Sequence, residues 1–122
     1  MKFVEYNPVL GSGCIVRTFL RLLDKDVSEI KNELFNLAQG MGYDEYSEIS
    51  VFEKYLDINN YEKIDNYKDV LVKDLSLDYG KYALFCYDKN DYYHMFSIID
   101  NIIYDKNDKC LDLYVISIYK LK

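Results

Sequence analysis

A single histidine, a single proline and only three cysteines are what this 122-residue chain has least of, and each shortage narrows its chemistry. With His94 alone, and cysteines at 14, 86 and 110 that form no close pair, the spacing argues against a structural zinc site built from cysteine and histidine. An odd, scattered set of cysteines reads as free thiols in a reducing compartment, not as a disulfide framework. No apolar run reaches the length of a membrane span, and the opening "MKFVEYNPVL" lacks the apolar core of a signal peptide. A cytoplasmic protein is therefore expected. Pro8 is the only proline, and no repeat, low-complexity block or Pro/Gly/Ser linker divides the chain, so residues 1–122 are expected to form one domain.

Positive charge is also in short supply. Fifteen Lys and Arg stand against 21 Asp and Glu, a formal charge of -6. That balance argues against direct binding to nucleic acid or to anionic membrane, because phosphates demand a cationic surface. It suits a basic protein partner instead. Half of the residues are apolar, which is a globular composition.

The first half reads as helical. Between Cys14 and Leu23, apolar residues fall at 14, 15, 16, 19, 20, 22 and 23, nearly all round, which predicts a buried helix. Asp26 followed by Glu29 is a capping-box pattern, and Val27, Ile30, Leu34, Leu37 and Met41 then keep the helical period until Gly40 and Gly42. Ser50 with Glu53 repeats the capping pattern for a short third helix over Val51 to Leu56. From Asn60 to Tyr79 irregular structure is expected, with one helical turn near Val72 to Leu75.

The second half changes character. "KYALFCYD" (81–88), "YYHMFSII" (92–99), "IIYD" (102–105) and "CLDLYVISIYKL" (110–121) are rich in β-branched and aromatic residues. Asp100-Asn101 has the form of a two-residue hairpin turn, and Lys106 to Lys109 is a second polar connection. The expected class is α+β: N-terminal helices packed on a C-terminal antiparallel sheet.

That hairpin has a chemical consequence. With Asp100 and Asn101 as loop residues, Ile99 faces Ile102 and Phe96 faces Asp105. His94 and Asp105 then share one sheet face as diagonal neighbours. A carboxylate so placed can fix the tautomer of an imidazole and stabilise its charge. In "NPVLGSGCIVRTFLRLL" (7–23), Cys14 stands at a helix start behind Gly-Ser-Gly. A helix N-terminus favours thiolate and offers N–H donors to an oxyanion, and Gly13 leaves room for a carbonyl to approach.

"GCIVRTFL", "VSEIKNELFNLA", "VFEKYL" and "YYHMFSIIDNIIYD" together resemble the small papain-like cysteine peptidase domains of phage and bacterial genomes. The shared features are a cysteine opening an apolar helix with arginine three residues on, then a histidine, an apolar strand, a tight turn and a strand ending in Tyr-Asp. The resemblance implies a minimal papain-like fold and a cysteine peptidase or amidase acting on a peptide or protein. It makes Cys14 the nucleophile, His94 the general base and then acid, and Asp105 the orienting carboxylate, with no cofactor. For the oxyanion it offers the backbone of Gly13 and Cys14, and the side chains of Asn7 or Ser12 where many relatives carry glutamine.

Each residue alone has a plainer reading: Cys14 as a small buried hydrophobe, His94 as a half-buried strand residue, Asp105 as a strand-end acid. Cys86 and Cys110 read as inert core thiols inside strand runs, and Arg17 and Arg21 as partners of carboxylates. The acidic stretches at 44–45 and 57–69 read as solvated surface. A rival of another class is an acidic, tyrosine-rich binding or inhibitor protein of the kind phages encode. It would set carboxylates at 57, 65, 69, 74 and 78 into the basic groove of a host defence or nucleic-acid-handling protein.

Overall fold

The computed structural model describes residues 1–122. Strand β1 (Lys2–Glu5) precedes three helices, α1 (Cys14–Leu22), α2 (Val27–Gly40) and α3 (Ile49–Ile58). Five strands follow: β2 (Tyr61–Ile64), β3 (Lys81–Tyr87), β4 (Tyr93–Ile99), β5 (Ile102–Asp105) and β6 (Tyr114–Leu121). The class is α+β, and the six strands form one sheet in the order β1-β5-β4-β3-β6-β2.

The sheet is mixed, a correction to the antiparallel sheet expected from the sequence. β1 runs parallel to β5, with Glu5 beside Asp105, while every other pair is antiparallel. Two strands, β1 and β2, lie outside the four strand runs read from the sequence, and β2 corrects the expectation of irregular structure from Asn60 onward. Each has four residues and sits at a sheet edge, too short and too exposed to carry a clear alternation.

The helices cover one face of the sheet. Val16 and Phe19 of α1, Ile30 and Leu34 of α2, and Phe52 and Leu56 of α3 pack with Ala83, Phe85 and Met95. Every residue of α1 is buried or half-buried, as its all-round apolar pattern predicts. The opposite face carries Leu84, Phe96, Ile98, Ile103 and Ile118 under two 3-10 turns, Val72–Asp74 and Asp108–Asp112. A bulge between Phe85 and Cys86 shifts the register of β6 against β3.

Local chemistry explains several boundaries. The Asp26 carboxylate accepts from the Glu29 backbone N–H at 2.9 Å while Glu29 reaches back to the Asp26 N–H, so the capping box on α2 is formed. The pattern at Ser50 is not a cap: α3 begins at Ile49 behind Glu48, and the Glu53 side chain instead accepts from the Tyr119 hydroxyl across to β6. Tertiary hydrogen bonding took the residue that the local pattern had assigned to the helix end. At the hairpin both Asp100 (φ 48°) and Asn101 (φ 67°) are left-handed, the type I′ conformation that matches strand twist. Ile99 faces Ile102 and Ser97 faces Tyr104, the register read from the sequence. The strand run at 110–121 starts only at Tyr114; Cys110 sits in the second 3-10 turn. No helix is long and apolar enough to cross a membrane.

Candidate active site

β5 pairs with β4 only over Ser97 to Ile99 and stops at Asp105. The outer part of β4, Tyr93 to Met95, is thereby left without a strand on that side. The start of α1 lies against this gap, which brings the Cys14 thiol close enough to the His94 imidazole and the Met95 backbone N–H for both to favour its charged form. A cavity of about 880 Å³ opens there, and Cys14, His94 and Asp105 all line it.

The imidazole is held on every side. Nε2 lies 2.7 Å from Asp105 Oδ2, so the N–H donates to the carboxylate. That leaves Nδ1 for the thiol and for the Tyr92 hydroxyl, 3.3 Å away. The rings of Tyr92 and Phe96 flank the imidazole at 5.8 and 6.0 Å, because residues two apart on a strand share a face.

Asp105 in turn is locked. Its Oδ1 accepts from the Lys106 backbone N–H at 2.8 Å and faces Arg17 Nη2 at 3.4 Å. The side chains of Arg17 and Asp105 are only 7% and 2% exposed, so this ion pair is buried. Arg17 stands three residues after Cys14 on α1 and thus on the same helical face. Arg21, one turn further, lies over the Tyr104 ring at 4.1 Å instead of pairing with a carboxylate, a correction to the sequence reading. An aromatic face was the nearer partner once α1 crossed β5.

These contacts set the protonation states. Burial works against charge on Cys14, but the hydrogen bonds from His94 and from the Met95 N–H, with the charges of His94 and Arg17, bring the thiol below its ordinary value. Burial likewise opposes charge on His94, and Asp105 together with Cys14 overcomes it, raising the imidazole from 6.5 to about 9. The arrangement favours a thiolate–imidazolium pair at neutral pH. Cys86 and Cys110 behave oppositely: burial, with the nearby Asp105 charge, pushes both thiols up. The Tyr92 hydroxyl is raised by burial and by the Cys14 and Asp105 charges, which keeps it protonated.

The N-terminus of α1 is open. Gly13 is its N-cap, no side chain caps it, and a Cβ at Gly13 would meet nothing within 4 Å. The Cys14 N–H is therefore one of the unpaired donors of a helix start. Of the upstream side chains, the Ser12 hydroxyl already donates to the Val9 carbonyl at 2.7 Å, although Ser12 lines the cavity. Asn7 does not line it. No three His, Cys, Asp or Glu side chains converge in a metal-binding arrangement. Tyr92 escaped the sequence reading, and Arg17, expected to pair with a carboxylate, does so with Asp105 itself, a partner that the sequence reading did not name.

Compared with protein-family models, with curated proteins and with solved structures, the chain matches none.

Proposed function

We propose that this protein is a cysteine hydrolase of minimal papain-like type, cleaving a peptide or related amide. One observation carries the reading: Cys14 and His94, whose Nε2 is bonded to Asp105 at 2.7 Å, line one cavity large enough for a peptide segment. The Cys14 thiolate attacks the carbonyl carbon, and the oxygen becomes an anion facing the Cys14 N–H. His94 gives its Nδ1 proton to the leaving nitrogen as the C–N bond breaks. Water then loses a proton to His94 and attacks the thioester, and cleavage of the C–S bond restores the thiolate. Asp105 keeps Nε2 protonated, so Nδ1 is the nitrogen that works.

Iodoacetamide labelling at neutral pH tests the reading. Cys14 is expected to react at least tenfold faster than Cys86 and Cys110, and His94→Ala to slow it by a similar factor. Equal rates at the three cysteines would remove the hydrolase reading.

The inhibitor reading has its own support, since Asp57, Asp65, Asp69, Asp74 and Asp78 are all exposed, as are Ile58 and Tyr79 among them. A Cys14→Ala chain that keeps its full biological effect would favour that reading.

A further inference from the structure

The charges around the cavity do not follow those of the chain. Three carboxylates line it, two of them paired with cations and the third, Asp88, held by backbone N–H groups that leave its charge in place. Asp105 is held by Arg17 and His94. Asp88 Oδ1 accepts from the Asn90 and Tyr92 backbone N–H groups at 2.8 and 3.0 Å. Asp112 faces Lys73 at 3.6 Å. Lys106 and Lys109 also line the cavity, are exposed, and take part in no ion pair. Asp108, between them in sequence, is exposed but does not line the cavity. Two lysines without an ion-pair partner thus line the same cavity as the thiol.

We propose that this cavity takes an acidic peptide segment, with substrate carboxylates near the scissile amide met by Lys106 and Lys109. Its standing as a substrate site rests on the hydrolase reading. The chain's charge of -6 does not forbid an anionic ligand. At physiological ionic strength charges further than about 8 Å are largely screened, so the nearest groups decide the preference. Both lysines belong to the polar connection that directly follows Asp105, so the carboxylate that orients the base and the cations that receive the ligand share one segment. Tyr92 and Tyr93, just before and at the start of β4, supply ring faces for the apolar parts of such a peptide.

The test uses the full chain with Cys14→Ala, which binds without turnover, and a fluorescein-labelled hexapeptide carrying two central glutamates. Glutamine and lysine versions of the peptide serve as comparisons. Anisotropy is expected to give at least roughly tenfold tighter binding of the glutamate peptide, an advantage that shrinks in 0.5 M salt (about a 4 Å screening length). It should fall about threefold to tenfold when Lys106→Gln and Lys109→Gln are combined, both exposed positions that leave the fold intact. Equal binding of the glutamate and glutamine peptides, or a preference that survives loss of both lysines, overturns the proposal. The hydrolase reading is scored separately on the wild-type chain by Cys14 labelling. Selective glutamate binding beside a Cys14 that labels no faster than Cys86 upholds the anion site and removes the hydrolase.

Discussion

Two helix starts in this protein are built on opposite plans. At α2 the capping box of Asp26 and Glu29 satisfies orphan N–H groups with side chains of the chain itself. At α1 Gly13 offers no side chain, the N–H groups stay uncapped, and a thiol takes the first position. The α2 start is finished as structure. The α1 start leaves its donors and its partial positive charge without a side-chain cap, and packing holds the helix in place instead: Val16 and Phe19 in the core, Arg17 on Asp105, Arg21 on Tyr104.

Substitutions at the two ends should therefore read out differently. Cys14→Ala is expected to lower turnover of a peptide substrate by roughly 10⁴-fold or more. Asp26→Ala should leave turnover alone. A Cys14→Ala chain that still cleaves would break the contrast at its root.

Asp105→Ala comes next in size. It strands the buried Arg17 guanidinium and is expected to cost about 3–5 kcal/mol in urea unfolding, against about 1 kcal/mol for loss of the Asp26 cap. A smaller cost at Asp105 than at Asp26 would mean that the pair is not what anchors α1.

The pH dependence follows from the two shifted groups. His94, raised to about 9, gives its share of stability fully below its ordinary value of 6.5, and that share fades as pH rises through about 9. Cys14, lowered, gives its share above its ordinary value and loses it as pH falls through the depressed one. Turnover should be bell-shaped, with the acid limb set by Cys14 and the alkaline limb near 9. In Asp105→Asn the alkaline limb should move to lower pH. A limb that stays put would show that the carboxylate does not tune the ring.

The smallest change in stability is the sharpest comparison. Gly13→Asp gives α1 the kind of cap α2 has, in open space and at a φ of -75° that suits any residue. It should stabilise the fold by a few tenths of a kcal/mol in the same unfolding assay. Turnover should drop by roughly 10²-fold, since the carboxylate would occupy helix donors and repel the thiolate. Unchanged turnover would mean that the helix start takes no part in the reaction.

The hairpin was the most readable part of the sequence because its information is local. Two residues that accept φ > 0, flanked by isoleucines, fix the turn, and the turn fixes which face His94 and Asp105 occupy. The α2 cap was readable for the same reason. Strand β1 was not, because its only partner is β5, far away in sequence, and "KFVE" carries no pattern of its own. The Ser50–Glu53 pattern misled because Tyr119 competes for Glu53. Cys110 was misassigned because "CLDLYVIS" alternates like a strand while its first residues turn as a 3-10 helix. Nothing in the spacing of Cys14 and His94 foretold their meeting. It depends on β5 stopping short and leaving the edge of β4 open to α1.

The parallel docking of β1 on β5 adds a matter of timing. During synthesis the helix bearing Cys14 leaves the ribosome well before the strand bearing Asp105 exists, and β1 waits unpaired in between. A half-made chain therefore carries Cys14 without His94 or Asp105, and the parallel seat for β1 is complete only once the β4–β5 hairpin has formed.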